Sequence, residues 1–233
     1  MNVLILVLSA RREPWGALMD TSMVTWDSVD HPKTQTLYYC GKSDQPSTDK
    51  VFYSPTYTED LEDVSSRTIE AFEESLKYDW DYLARPNSSC YVHKQNLVDY
   101  LRTSIWGNVI FGILTGGENS FLWGGCQFIL SRDVVERMVA AKDKWNHNVM
   151  DDNSITELAK FLNVDIREGW CSSINANDDG SYTVISYGHG EGFVFRDWED
   201  VKKLDGHYFV RCKHDPDRTQ DLVRFRKLHE YWK

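Results

Sequence analysis

Apolar positions along the chain fall into short runs separated by polar turns, and their period changes from one segment to the next. Val3-Leu4-Ile5-Leu6-Val7-Leu8 is a continuous apolar run bounded by Ser9 and Pro14, as expected of a strand buried on both faces of a parallel sheet. A helix is expected from Trp15 to Val29, and a second strand, Thr36-Leu37-Tyr38-Tyr39-Cys40, ends at Gly41. Ser43 to Lys50 is polar and carries Pro46, which marks a surface loop rather than a domain linker. Within Ser65 to Leu76, Ile69, Phe72 and Leu76 recur at helical spacing and share one face. That helix feeds an apolar strand pattern, which runs from Trp80 into the polar triplet Asn87-Ser88-Ser89 and returns to apolar residues at Cys90-Tyr91-Val92. Leu97 to Leu101 continues as a helix. This alternation is the repeat of a doubly wound α/β sheet. After Val164 the character changes: Asp179-Gly180 followed by Tyr182-Thr183-Val184-Ile185-Ser186-Tyr187 predicts a β-hairpin over Cys171 to Tyr187.

Length and charge narrow the picture. A chain of 233 residues with 41% hydrophobic content can bury a full core, and residues 1–233 are expected to form one domain. A formal net charge of -10, with Lys and Arg dispersed, argues against a nucleic-acid partner, because phosphate backbones are bound by clustered cations. The five cysteines are an odd count without a Cys-x-x-Cys pair and read as buried thiols of a reducing compartment. Val3 to Leu8 is too short to span a membrane and lacks the basic start and cleavage site of a signal peptide, so no membrane span is expected.

Candidate chemistry sits at three places. Arg11 and Arg12 lie in the loop after the first strand, where open α/β sheets bind ligands. Asp151 and Asp152 open a segment with apolar residues at Ile155, Leu158, Ala159 and Leu162. Helix capping and the macrodipole account for acids at such a start, and a carboxylate pair equally suits general-base work. Trp123 follows a glycine-rich stretch and reads either as a sugar-stacking platform or as one core tryptophan among nine. Gly124 and Gly125 serve either a turn or a close approach of backbone to ligand. The segment Gly206 to His214 mixes cations and imidazoles, and its Cys212, His214 and His207 match no usual zinc spacing. His189 and Glu191 in a glycine-rich loop read as surface polar groups.

Read in order, the stretch Trp80 to Val92, the segment Trp123-Gly124-Gly125-Cys126-Gln127-Phe128-Ile129-Leu130-Ser131-Arg132-Asp133, then Asp151-Asp152-Asn153-Ser154-Ile155-Thr156 and the basic C-terminal segment form a series. In that series the chain resembles the fringe and β-1,3-galactosyltransferase-like glycosyltransferases of the GT-A fold, closest to compact viral, phage and bacterial relatives. The resemblance covers most of the chain and rests on the order of its motifs. It implies a Rossmann-like, mostly parallel twisted sheet flanked by helices, with a C-terminal β-hairpin excursion. The implied reaction moves a sugar, with inversion, from a nucleotide-diphosphate-sugar donor to a hydroxyl of a glycan or glycoconjugate acceptor. Asp152 would be the general base, with Asp151 in support. Arg11, Arg12 and Arg67 would reach the nucleotide or its phosphates, Asn87, Ser88 and Ser89 would line the pyrophosphate, and Trp123, Gly124 and Gly125 would shape the sugar pocket. Arg211 and Lys213 would meet the departing diphosphate.

One departure from the family pattern matters. Where the resemblance calls for an Asp-x-Asp-type triplet holding a divalent cation, this chain has Asn87-Ser88-Ser89, whose neutral oxygens bind a hard cation more weakly than carboxylates do. Mn or Mg is the cofactor the resemblance implies, with Ser89 and His207 as its expected ligands here. If the triplet holds it weakly, His207, Arg211 and Lys213 are the candidates to neutralise the leaving group. Golgi members of the family are membrane-tethered, so the expectation is a cytoplasmic form, in the host cytoplasm if viral. Two rivals stand beside this reading: a catalytically inactive glycan-binding module on the same fold, and a nucleotidyltransferase. The loop Ser9-Ala10-Arg11-Arg12-Glu13-Pro14 lacks the glycine-rich basic start that a triphosphate would call for.

Overall fold

The alternating sides of the first strand organise the molecule. In a computed structural model, residues 1–104, 107–116, 120–187, 191–213 and 217–232 are described, Cys126 without its side chain. Gly117, in the glycine-rich stretch before Trp123, falls outside the described residues, as do His189 and His214. In β1 (Val3–Leu8), Val3, Ile5 and Val7 join one buried apolar cluster while Leu4 and Leu6 join another. A strand side chain points to opposite faces at successive positions, so an unbroken apolar run requires cover on both faces.

The elements that follow supply that cover. They are α1 (Trp15–Val24), β2 (Thr34–Cys40), β3 (Val51–Tyr53), α2 (Val64–Ser75), β4 (Tyr82–Arg85), β5 (Cys90–Val92), α3 (Lys94–Arg102), β6 (Val109–Gly112), β7 (Phe128–Ser131), α4 (Arg132–Ala140), α5 (Asp151–Phe161), β8 (Asp165–Glu168), β9 (Cys171–Ala176), β10 (Tyr182–Tyr187), β11 (Phe193–Phe195), β12 (Phe209–Arg211) and α6 (Thr219–Trp232). Residues of α2, α4 and α5, including Phe72, Val134, Met138 and Ile155, bury the face that carries Leu4 and Leu6. Residues of α1, α3, α6 and the second sheet, including Leu18, Leu97, Ile174 and Phe225, bury the other. Each fully buried Leu, Ile or Val on β1 contributes about 1.5–3 kcal/mol relative to exposure.

The result is a mixed α/β architecture with a mostly parallel central sheet flanked by helices. Its seven strands run in the order β3-β2-β1-β4-β7-β6-β8. Every neighbouring pair is parallel except those made by β7, which runs antiparallel to both β4 and β6. The expected helix Trp15 to Val29 is a helix to Val24 and then a separate 3-10 turn over Trp26–Ser28. Thr25 closes the helix, its hydroxyl donating to the Thr21 carbonyl at 2.6 Å. Such back-bonding competes with the helical ladder.

The C-terminal excursion is larger than a hairpin. β9 and β10 pair as predicted, with Asn177 to Ser181 as the turn. They belong to a five-stranded second sheet, β11-β10-β9-β12-β5. Three of its strands are only three residues long, too short for a period of two to register. β5 comes from the middle of the chain, directly after the Asn87 triplet, so the chain steps from one sheet to the other through those three residues. Among the described residues, no helix is long and apolar enough to cross a membrane.

Candidate active site

The triplet is held at the seam between the two sheets by backbone. Leu8 N donates to the Pro86 carbonyl and Ser88 N to the Leu8 carbonyl, each at 2.9 Å, so β1 and β4 stay paired beyond their formal ends. Cys212 N donates to the Ser89 carbonyl at 2.9 Å and ties the end of β12 to the same point. The carboxyl ends of the parallel strands, the start of α5 and the end of β12 therefore converge, at the position where open α/β sheets take ligands.

A cavity of about 350 Å³ lies there. Of the sequence-predicted residues, Arg12, Arg67, Asn87, Ser88, Ser89, Trp123, Gly124, Gly125, Asp151, Asp152, Arg211 and Lys213 line it. Arg11 and His207 do not. Arg11 turns to Tyr53, donating from Nε to the phenol oxygen at 2.9 Å, and pairs with Asp20 at 3.4 Å. His207 is buried with Nδ1 2.5 Å from Ser172 Oγ. The register of β12 against β5 separates it from Ser89: Arg211 faces Cys90 and Phe209 faces Val92, so His207 lies toward α3, where its carbonyl accepts from Asn96 Nδ2. Ser89 and His207 thus stand toward opposite ends of this strand pair.

Hydrogen bonds join the acidic pair to the triplet. Asp151 is 3% exposed and forms a buried ion pair with Arg85, itself 1% exposed. Arg85 also donates from Nε to Tyr39 Oη at 3.1 Å and from Nη1 to Asn87 Oδ1 at 2.8 Å. Asn87 Nδ2 in turn donates to the Gly124 carbonyl at 3.2 Å, and the Gly124 N–H donates to Asp152 Oδ2 at 3.0 Å. Burial and the charge of Asp152 push the proton affinity of Asp151 upward, against the pull of Arg85. Asp152 is half-buried, and its Oδ1 accepts from the Asn153 N–H at 2.9 Å. The pair has therefore divided its work: Asp151 is committed to Arg85, while Asp152 faces the cavity with its orientation set by two backbone donors.

Both glycines are there for close approach. A Cβ on Gly124 would stand 3.0 Å from Asp152 Oδ2, and one on Gly125 would meet Arg211 Nη1 and, at 2.8 Å, Trp123 Nε1. The Arg211 guanidinium lies 5.9 Å from the centre of the Trp123 ring, within cation–π range. Trp123 is half-buried and meets Tyr187 edge-on at 5.1 Å, and the two rings help line a second cavity of about 320 Å³ with Ser173 and Asn175.

The electrostatics of the first cavity oppose those of the whole chain. Six cations line it, namely Arg12, Arg67, Arg85, Arg211, Lys213 and Arg218, against the three carboxylates Glu59, Asp151 and Asp152. Arg67 is 2% exposed, and its Nε and Nη1 have no hydrogen-bond partner among the described residues. Burial lowers its proton affinity below the ordinary arginine range, with Glu59 and Asp63 acting on it only through space. Arg211 Nε and Arg218 Nη2 are likewise buried without a partner. Arg218 stacks over Trp15 at 4.5 Å and pairs with Asp221 at 2.6 Å.

Sequence reasoning missed Arg85, Glu59, Trp15 and Arg218 as parts of the site. Glu59 accepts the Arg11 and Arg12 N–H groups, at 2.5 and 2.9 Å, and so shapes the loop after β1. Arg85 had a signal, since a charge closing an apolar strand has to find a partner when buried. Glu59 had none, because it lies in a polar stretch without periodicity.

The donor set fits a divalent cation poorly. Among the described residues, no three His, Cys, Asp or Glu side chains are grouped to hold a metal ion. Asn87 is bonded at both ends of its amide, and the remaining triplet groups are the hydroxyls of Ser88 and Ser89.

Among solved structures, the crystal structure of S. aureus TarS 1-349 is similar over 72% of this chain and 58% of that one, at 11% sequence identity and a TM-score of 0.45. This chain therefore spans less than two thirds of the TarS chain it matches. No protein-family profile matches the chain, and no curated protein does.

Proposed function

We propose that the protein transfers a sugar from a nucleotide-diphosphate-sugar donor to a hydroxyl of a glycan or glycoconjugate, with inversion. The observation that carries this reading is the pairing, in one cavity, of a carboxylate held by backbone donors with a cluster of incompletely bonded guanidinium groups. That combination suits an in-line displacement in which one face needs a base and the other receives negative charge. The acceptor hydroxyl oxygen attacks the anomeric carbon as Asp152 takes its proton. The bond from that carbon to the diphosphate oxygen breaks, its electron pair leaves with the oxygen, and Arg67, Arg211 and Arg218 meet the charge. Asp151 is a positioning residue in this scheme. Paired with Arg85, it sets the start of α5 and, through Asn87 and Gly124, the place of Asp152.

The second cavity supports an acceptor subsite. It shares Trp123, Arg211 and Lys213 with the first and adds the aromatic edge of Tyr187 and the polar groups of Ser173 and Asn175. Apolar C–H faces of a pyranose pack on aromatic rings, and a few polar groups orient the sugar. The test is nucleoside-diphosphate release from a panel of nucleotide sugars, for the wild-type protein and Asp152→Asn. Release by the wild type that falls about 10²-fold or more in the variant supports the scheme. Binding of free glycans without release from any donor would leave the glycan-binding module instead.

A further inference from the structure

We propose that this chain holds and neutralises the donor's diphosphate with its own arginines, centred on Arg67, and not with a divalent cation. The proposal rests on the transfer reading above and names what that reading left open.

Three observations converge on it. First, two of the three carboxylates that line the cavity are already committed, Glu59 to the Arg11 and Arg12 backbone and Asp151 to Arg85, which leaves Asp152 alone facing the cavity. The Asn87 carbonyl oxygen, which stands where a carboxylate ligand would be expected, accepts from Arg85 instead. Second, the lining carries six cations against three carboxylates, and counting Asp60 and Asp221, which pair with Arg12 and Arg218, the cations still outnumber the acids by six to five, a balance that favours a diphosphate over a divalent ion.

Third, the buried guanidinium groups are left unfinished. Arg67 sits in the first turns of α2, 2% exposed, and among the described residues it has no ion pair and two nitrogens without hydrogen-bond partners. A buried charge in that state is costly unless something arrives to complete it. Arg211 and Arg218 add one unpartnered nitrogen each around the same cavity. The planar fork of an arginine presents two parallel donors, which matches the paired oxygens of a phosphate. The substitution of a neutral triplet for an acidic one is then part of a coherent site. Carboxylates at Asn87 and Ser89 would compete with the diphosphate for the arginines.

The test is calorimetric titration with inorganic pyrophosphate and with UDP, GDP, ADP and CDP, in metal-free buffer containing EDTA and again with Mn. Arg67→Met removes the charge while keeping a side chain of similar length, and Arg211→Met does the same at a more exposed position. The expected result is binding of pyrophosphate or one nucleoside diphosphate in EDTA, with a Kd within about threefold of the Mn value. Each variant should weaken it about tenfold or more, the loss expected for hydrogen bonds to a charged group. Binding that appears only with Mn, or that survives both substitutions in EDTA, overturns the proposal and leaves the transfer reading intact. Absence of binding under every condition overturns both.

Discussion

Asp152 and Gly124 are joined by a 3.0 Å hydrogen bond from the Gly124 N–H to Asp152 Oδ2. The same approach leaves little room for a side chain, because a Cβ on Gly124 would lie 3.0 Å from that oxygen and 3.2 Å from Asp152 Cβ. Gly124→Ala should therefore displace the carboxylate by a few tenths of an ångström and lower turnover about tenfold, since a misplacement of about 1 Å can cost about 10²-fold. Donor affinity, read by calorimetry on the same preparation, should stay within about threefold of wild type.

Arg85 and Asp151 form a deeply buried ion pair, their side chains 1% and 4% exposed. Asp151→Ala should destabilise the protein by about 3–5 kcal/mol, because it strands a buried guanidinium. Arg85→Met combined with Asp151→Leu should recover a large part of that loss. Urea denaturation of the two variants checks this. Equal instability of the single and double variants would show that the pair does more than balance its own charge.

Burial lowers the proton affinity of His93 below its ordinary 6.5. Its Nδ1 accepts the Asn96 N–H at 3.2 Å and so caps the N-terminus of α3, a bond that a protonated ring cannot accept. A folded-state value below the unfolded one means that this contribution is fully present above pH 6.5 and is lost as pH falls through the folded value. Stability should therefore decline on acidification below 6.5, with a slope of at most about 1.4 kcal/mol per pH unit from this group. His93→Asn keeps a capping side chain and removes the titration, so it should flatten that part of the profile in chemical denaturation.

Gly125 separates Trp123 from Arg211, and a Cβ there would meet both. Gly125→Ala should push the Arg211 guanidinium away from the indole and weaken diphosphate binding several-fold. A red-shifted or less quenched Trp123 emission would accompany it. An unchanged titration would place Arg211 outside the anion site.

Much of this organisation was legible in the chain. The doubly wound plan followed from the run Val3 to Leu8 and the helical face of Ile69 and Phe72, because burial on two faces and a period near 3.6 leave few other arrangements. The direction of β7 was not legible, since a short apolar strand reads the same in either orientation. β5, β11 and β12 were too short to show alternation, so the second sheet was seen only as its hairpin. At the site, the residue types and order placed Asn87, Gly124 and Asp152 together, while the partners that hold them are distant in sequence. Arg85 lies 66 residues from Asp151, and no local pattern specifies that meeting. The place of His207 was not legible for a related reason: strand register, which decides which end of β12 it occupies, is written in pairing rather than in composition.

The most direct measurement is thermal unfolding of the wild-type protein against a panel of nucleotide sugars, in chelator, with Arg67→Met as the control. A ligand that binds only the folded state at about 100 times its Kd adds about 2.7 kcal/mol, which for a chain of this size corresponds to roughly 5–10 °C in Tm. The account predicts such a rise for one nucleotide sugar in the wild type and its loss in Arg67→Met. Stabilisation by free glycans with no response to any nucleotide sugar, with or without Mn, would contradict it.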